Sequence, residues 1–215
     1  MQAVLESLPL YWEGFRTTLT LALIAGLLAL ILGTVLGALR VSPVPPLRWF
    51  GTAYVDIVRN TPLTIVFFFF VFVAPQIGLQ FPFFTSAVVA LTLYTAAFVC
   101  EAVRSGINSV GVGQAEAARA VGLTFSQTLS LIVVPQALRT VVPPLINIFI
   151  ALAKNTSVAG GFFVAELFGV ARRLPVVYPA DVIAVLIGVA VAYLVITVPS
   201  GLLAGYLERK VAFAR

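Results

Sequence analysis

The chain has 215 residues, of which 61% are hydrophobic and 10% charged, with a formal net charge of +5 and a mean hydropathy of +1.10. Soluble domains carry about 25% charged residues, so the solvent of this chain is lipid, and its length leaves no room for a soluble domain beside several membrane helices. With no histidine and one cysteine, Cys100, it lacks the means for His-based acid–base or nucleophilic catalysis, an internal disulfide or a multi-cysteine metal site.

A helix needs about 20 apolar residues to cross roughly 30 Å of hydrocarbon, and stretches of that kind divide the chain into five spans. Met1 to Glu13 holds two acidic residues and no Lys or Arg, unlike the basic start of a cleaved signal peptide. The first apolar run, 17–39, is therefore expected to remain as a span. It contains Gly33-x-x-x-Gly37, a spacing that lets helices approach closely. Trp49, Tyr54, Asp56 and Arg59 suit an interfacial helix leading into Thr61-Pro62. Asn60 to Cys100 is uncharged but too long for one crossing, and Pro75-Gln-Ile-Gly-Leu-Gln-Phe-Pro82 interrupts it. This predicts a second span over 62–80, its helix running to Ala74 and extended N-terminally, then a turn and a third span over 84–104. The Phe67 to Phe70 run reads as lipid-facing or packed span surface. Residues 106–139 are too polar to cross lipid and too patterned for a disordered linker, so short interfacial helices are expected there. The fourth span, 140–160, carries Lys154, and the fifth, 182–206, carries no charge. The 215 residues then form one all-α transmembrane domain.

Basic residues accumulate on the cytoplasmic side of short loops. Arg40, Arg48 and Arg59 flank one loop, Arg104, Arg119 and Arg139 the next on that side, and Arg209, Lys210 and Arg215 the tail. The opposite side receives Glu6, Glu13, the Pro75 to Pro82 turn, and a loop with Glu166, Arg172, Arg173 and Asp181. The N-terminus is thus expected outside and the C-terminus inside, with Arg172-Arg173 against the trend. The bases are dispersed along the chain and form no stripe, so nucleic acid is not an expected partner.

Gly113 to Gly122 reads as a short Ala-rich helix with Glu116 and Arg119 at i,i+3, stopped by a glycine able to take the left-handed C-cap. Thr124-x-x-Gln127 has capping-box spacing, so a second helix is expected from Phe125 until Pro135 perturbs it. Ala117, Ala118 and Ala120 offer a flat surface that a partner's backbone can approach.

The sequence Glu116-Ala-Ala, Gly122, nine residues and Ile132-Val-Val-Pro135 resembles the EAA signature of permease subunits of bacterial ABC importers, with Val134 where leucine is common. Arg59-Asn-Thr-Pro-Leu63, Tyr94 with Glu101-Ala-Val-Arg-Ser-Gly-Ile107, Pro135-Gln-Ala-Leu-Arg139 and Lys154-Asn-Thr-Ser157 are similar to the polar amino acid branch, which handles histidine, glutamine, arginine and glutamate. The likeness runs from about Phe15 to the end, and Arg40-Val-Ser-Pro43 and Arg104-Ser-Gly-Ile-Asn108 look most like glutamate-type permeases.

The resemblance implies a type I, MetI-like permease of about five transmembrane helices with a cytoplasmic coupling helix. Glu116, Ala117, Ala118 and Gly122 would form the loop that docks on the ATPase. It implies an ATP-driven importer of a polar amino acid, glutamate or a related one, in the plasma membrane of a bacterium. Its partners would be a cytoplasmic ATPase dimer, a second permease chain, identical or homologous, and an extracytoplasmic amino acid-binding protein. The chain has no G-x-x-x-x-G-K-[ST] phosphate loop, and its only lysines are Lys154 and Lys210. ATP and Mg are therefore expected in the partner ATPase, and this chain is read as a transport subunit rather than an enzyme. The alternative is an ATP-independent amino acid channel or secondary transporter, against which the EAA segment argues.

Lys154 is the sharpest single residue, because an ionisable group within a span faces a cavity or a partner. With Asn155, Thr156 and Ser157 it makes a polar patch on the substrate pathway, or else it pairs with Glu101, Glu166 or a helix carbonyl, or snorkels. Glu101 either serves that pathway and its gate or pairs with Arg104 at i,i+3. Glu116 faces the ATPase or Arg119, and Arg59 is read as snorkelling to head groups. Glu166 and Asp181 contact the binding protein or stand in a solvated loop.

Overall fold

A computed structural model describes residues 2–212, leaving Arg215 of the basic tail outside the described residues. Every regular element in it is helical. A short turn, Gln2–Glu6, precedes α1, Leu8–Val41. At 1.5 Å per residue α1 is about 51 Å long, well beyond the hydrocarbon thickness, so it starts nine residues before the uncharged run that marks it in the sequence.

Pro45-Pro46 open α2, Pro45–Asn60, where proline's fixed φ and missing N–H suit a first helical turn. The helix ends at Pro62, which forces the residue before it into extended backbone: Thr61 has φ −96° and ψ 129°. The chain restarts as α3, Leu63–Ile77, at 100° to α2. The expected N-terminal extension of the second helix is therefore a break. Within α3 a wide π turn, Phe69–Val73, gives way to a tight turn, Ala74–Ile77, closed by Gly78 at φ +89°.

Helix α4, Phe83–Asn108, is the centre of the fold. Of its most apolar window 61% is buried, against 33% for α1. The seam between α1 and α4 is set by Gly33 and Gly37, where an added Cβ would stand 2.5 Å from Val99 Cβ and 2.8 Å from Val103 Cγ1. Ala29 and Leu36 of α1, Val55 of α2, and Ala96, Ala97 and Cys100 of α4 fill that layer. Tyr54 ties α2 to α4 by donating to the Leu93 carbonyl at 2.7 Å.

After α5, Val112–Ala120, the long helix α6 runs from Phe125 to Gly161. It passes through a π turn, Thr128–Val133, placed just before Pro135. Pro135 has no N–H to donate and its ring crowds the carbonyl four residues back; the wider turn accommodates both, so the helix is perturbed at Pro135 as expected and continues past it. A second apolar layer joins Leu21 and Ala25 of α1, Leu63 and Phe67 of α3, Leu91 of α4 and Leu152 of α6. Phe67 is wholly buried and stacks on Phe162 at 5.2 Å, while Phe68 and Phe69 are exposed, so the phenylalanine run serves both surfaces.

The chain then crosses back through α7, Leu167–Val177, a tight turn, Pro179–Asp181, and α8, Val182–Ala212. Tyr11 fastens α1 to α8 by donating to the Val185 carbonyl at 2.9 Å. Four helices are long and apolar enough to cross a membrane, and α2 with α3, taken as one bent span, makes five.

Candidate functional site

Helix α5 and the start of α6 form a helix–elbow–helix. Gly122 takes φ +89°, its N–H donates to the Arg119 carbonyl at 3.0 Å, and Leu123 N–H reaches back to Ala118 at 3.1 Å. These bonds satisfy carbonyls that a helix end otherwise leaves unpaired. On the far side Thr124 and Gln127 make the reciprocal capping box, Thr124 N–H to Gln127 Oε1 at 2.9 Å and Gln127 N–H to Thr124 Oγ1 at 3.3 Å.

Of the coupling residues, Glu116, Ala117 and Gly122 are exposed, whereas Ala118 is buried against the chain itself. The outer surface is thus built from Ala117 and Ala120 without Ala118. Around it stand Val112, Val121 and Phe125, exposed by 73, 78 and 78%. Large apolar side chains gathered on a polar loop mark a surface that something covers. Glu116 and Arg119 form no ion pair among the described residues.

The polar patch of α6 is divided. Lys154 is exposed, Asn155 and Ser157 are half-buried, and Thr156 is buried with its hydroxyl donating to the Ala153 carbonyl at 2.8 Å. Lys154 continues an exposed stripe with Asn147 and Ala151 and has no hydrogen bond or ion pair among the described residues. Both acidic partners open to it in the sequence are already engaged. Glu101 is paired with Arg40 and takes Arg104 at 2.7 Å, with Arg59 at 3.8 Å. Glu101 therefore ties α1, α2 and α4 together, and the i,i+3 pair with Arg104 is one part of that tie.

Glu166 is the residue that sequence reasoning misplaced. It is fully buried, so it is neither in a solvated loop nor open to a soluble partner. It caps α7 by accepting Gly169 N–H at 2.8 Å, and it accepts Tyr193 OH at 2.6 Å and Thr18 OH at 3.4 Å. Gly160 makes room for it, since a Cβ there would meet Glu166 Oε1 at 2.0 Å. Lying between α6 and α8, its carboxyl is pushed above the usual carboxylate range by burial, which outweighs the opposing hydrogen bonds. The local signal was Glu-x-x-Gly at a helix start; Thr18 and Tyr193 lie 148 and 27 residues away. Beside it Phe163 holds φ +67°, a strained position for a non-glycine residue, and packs on Phe83 at 5.0 Å.

Residues 9–213, nearly all of the chain with both halves of the elbow, match the family of binding-protein-dependent transport system inner membrane components. The chain belongs to that family. This inner membrane component is 40% identical to a probable glutamine ABC transporter permease protein, GlnM, of Bacillus subtilis over 95% of its own length and 94% of the relative's. It is 40% identical to the glutamate transport system permease protein GluC of Corynebacterium glutamicum, covering 95% and 93%, and 35% identical to the glutamate/aspartate import permease protein GltJ of Escherichia coli, covering 93% and 86%. Its fold superposes on the crystal structure of an amino acid ABC transporter with histidines at a TM-score of 0.90, with 28% identity and 97% of each chain covered. The MetNI methionine ABC transporter shares the fold at a TM-score of 0.74 and 22% identity. The component is thus an ABC permease with the MetI-like fold expected from its EAA segment.

Proposed function

We propose that this permease forms the membrane pathway of an ATP-driven importer for a polar amino acid, with glutamate or its amide the substrate class. The names of its relatives and their full-length identity support that class. The single observation that carries the mechanism is the capped elbow of α5 and α6 with its uncovered apolar rim. A cytoplasmic ATPase dimer covers that rim and holds ATP and Mg. A second permease chain completes the pathway, an extracytoplasmic binding protein delivers substrate, and the N-terminus lies outside with the C-terminus inside.

Movement of the ATPase reaches the pathway along one helix. From Phe125 to Lys154 is 29 residues, about 44 Å of α6, with the π turn and Pro143-Pro144 as its points of give. Lys154, turned away from its own chain, meets the substrate carboxylate in the pathway, and Asn155 and Ser157 flank it. Glu116, Ala117 and Gly122 form the docking surface, and Ala118 anchors it from beneath.

The test is ATP hydrolysis by the reconstituted complex, titrated with glutamate, glutamine, arginine and histidine, beside a Gly122→Asp version. A side chain at φ +89° strains the elbow, so stimulation by an acidic amino acid or its amide is expected in the wild type and lost in the variant. An assembled complex that no amino acid stimulates would refute the substrate class. Failure of the ATPase to bind would refute the importer.

A further inference from the structure

Where α1, α2 and α4 meet at their basic ends, one carboxylate faces three guanidinium groups. Glu101 is paired with Arg40 through Oε2, takes Arg104 at 2.7 Å through Oε1, and has Arg59 Nη1 3.8 Å from Oε2. Three cations less one anion leave a formal charge of +2. Charges at the edge of hydrocarbon are met by partners, water or head groups, and Asp56, the acidic residue of α2, pairs with none of the three arginines among the described residues.

Arg40 is nearly enclosed, its side chain 10% exposed, whereas those of Arg59 and Arg104 are 43% and 36% exposed. Arg104 Nε is buried with no hydrogen-bond partner. Arg59 is held over the Phe98 ring at 5.5 Å, so its fork is placed rather than free. Between them the two side chains keep most of their donors unspent on one rim. Helix α2 presents Trp49, Phe50 and Ile57 outward at 72, 55 and 66% exposure beside Arg48. Aromatic and aliphatic side chains interleaved with arginines place this helix at head-group depth.

We propose that Arg59 and Arg104 form a binding site for a phosphate oxyanion at the membrane rim, supplied by an anionic lipid head group or by free phosphate. The planar guanidinium fork matches phosphate geometry, and basic pockets between membrane helices take anionic head groups. Glu101 does not repel the ligand, because its charge is matched by Arg40 and its other oxygen fixes Arg104. The site involves neither the elbow nor Lys154, so it stands or falls independently of the transport reading.

The intact chain is reconstituted in nanodiscs of equal phosphatidylcholine and phosphatidylglycerol, and retained lipid is counted by native mass spectrometry after transfer to detergent. The wild type is expected to retain phosphatidylglycerol over phosphatidylcholine. Arg59→Gln should lower that retention about fivefold, the weight of one basic residue at an anionic surface, with Arg59→Lys intermediate because the charge stays while the fork is lost. Arg59→Gln leaves the Arg40, Glu101 and Arg104 contacts in place, and an unchanged thermal midpoint checks its fold. A second arm adds inorganic phosphate to delipidated protein. A rise in midpoint in the wild type that Arg59→Gln lacks assigns the site to free phosphate, and selective lipid retention without that rise assigns it to head groups. Equal phosphatidylglycerol retention by wild type and Arg59→Gln, with no phosphate-dependent rise, overturns the site.

Discussion

Lys154 and Glu166 are two ionisable side chains treated oppositely by the fold. Lys154 leaves the packed side of α6 without a counter-charge among the described residues, so its worth depends on what lies outside. Lys154→Gln keeps a donor of similar reach but removes the charge; uptake is expected to fall at least about tenfold, the scale of one lost charge-assisted hydrogen bond. Basal ATP hydrolysis per assembled complex should be unchanged. Uptake at the wild-type level would show that the lysine merely snorkels. Glu166, by contrast, is satisfied entirely from within. Because its folded pKa is raised, the fold favours the protonated form, and that contribution is complete below the ordinary carboxylate value and lost as pH climbs through the raised one. Thermal unfolding in detergent should show the wild type losing stability relative to Glu166→Gln across that window, and parallel curves would contradict the assignment. Glu166→Ala should cost about 1–2 kcal/mol at low pH through the lost cap, a difference that shrinks as pH climbs through the raised value.

At the scale of elements, the α1–α4 seam shows how close packing is set by two missing side chains. A valine at position 33 would drive its Cβ into Val99 and the Ala96 carbonyl, the latter 2.7 Å away. Overpacking of this kind costs ~1–3 kcal/mol, so Gly33→Val is expected to lower the unfolding midpoint, read in the same detergent assay. An unchanged midpoint would mean that the helices can separate freely. The sequence disclosed the elements whose cause is local. Gly122, the Thr124–Gln127 box and the Pro75 to Pro82 turn carry their own signals, and α4 and α8 are long apolar runs bounded by charge. It did not disclose how neighbours resolve a local conflict. Pro62 forces Thr61 into extended backbone and the chain turns by 100°, whereas Pro135 is absorbed by a π turn and α6 continues past it. Glu166 was illegible for the same reason: its burial depends on Thr18 and Tyr193, and nothing near it in the chain announces either.

Over the whole molecule, burial is uneven. Helix α4 has 61% of its apolar window covered, while the corresponding windows of α6 and the fifth span have 11% each. A single chain is therefore packed about α4, with two long helices whose other faces belong to lipid or to further subunits. The elbow sits at one end of α6 and Lys154 toward the other, so both candidate sites lie on a helix that its own chain holds lightly. The uncovered ammonium has a consequence before any transport begins. A lysine without a partner within a span costs at most about 2.5–3.5 kcal/mol on insertion scales, the value at the centre of the helix, and a newly made subunit bears its share of that cost while it diffuses alone. A second subunit that shelters the charge in a watered passage relieves it, which favours the pair by at most roughly two orders of magnitude. On the proposed reading, the lysine that meets cargo also penalises the orphan, and completing the assembly is the chain's route out of an unfavourable state.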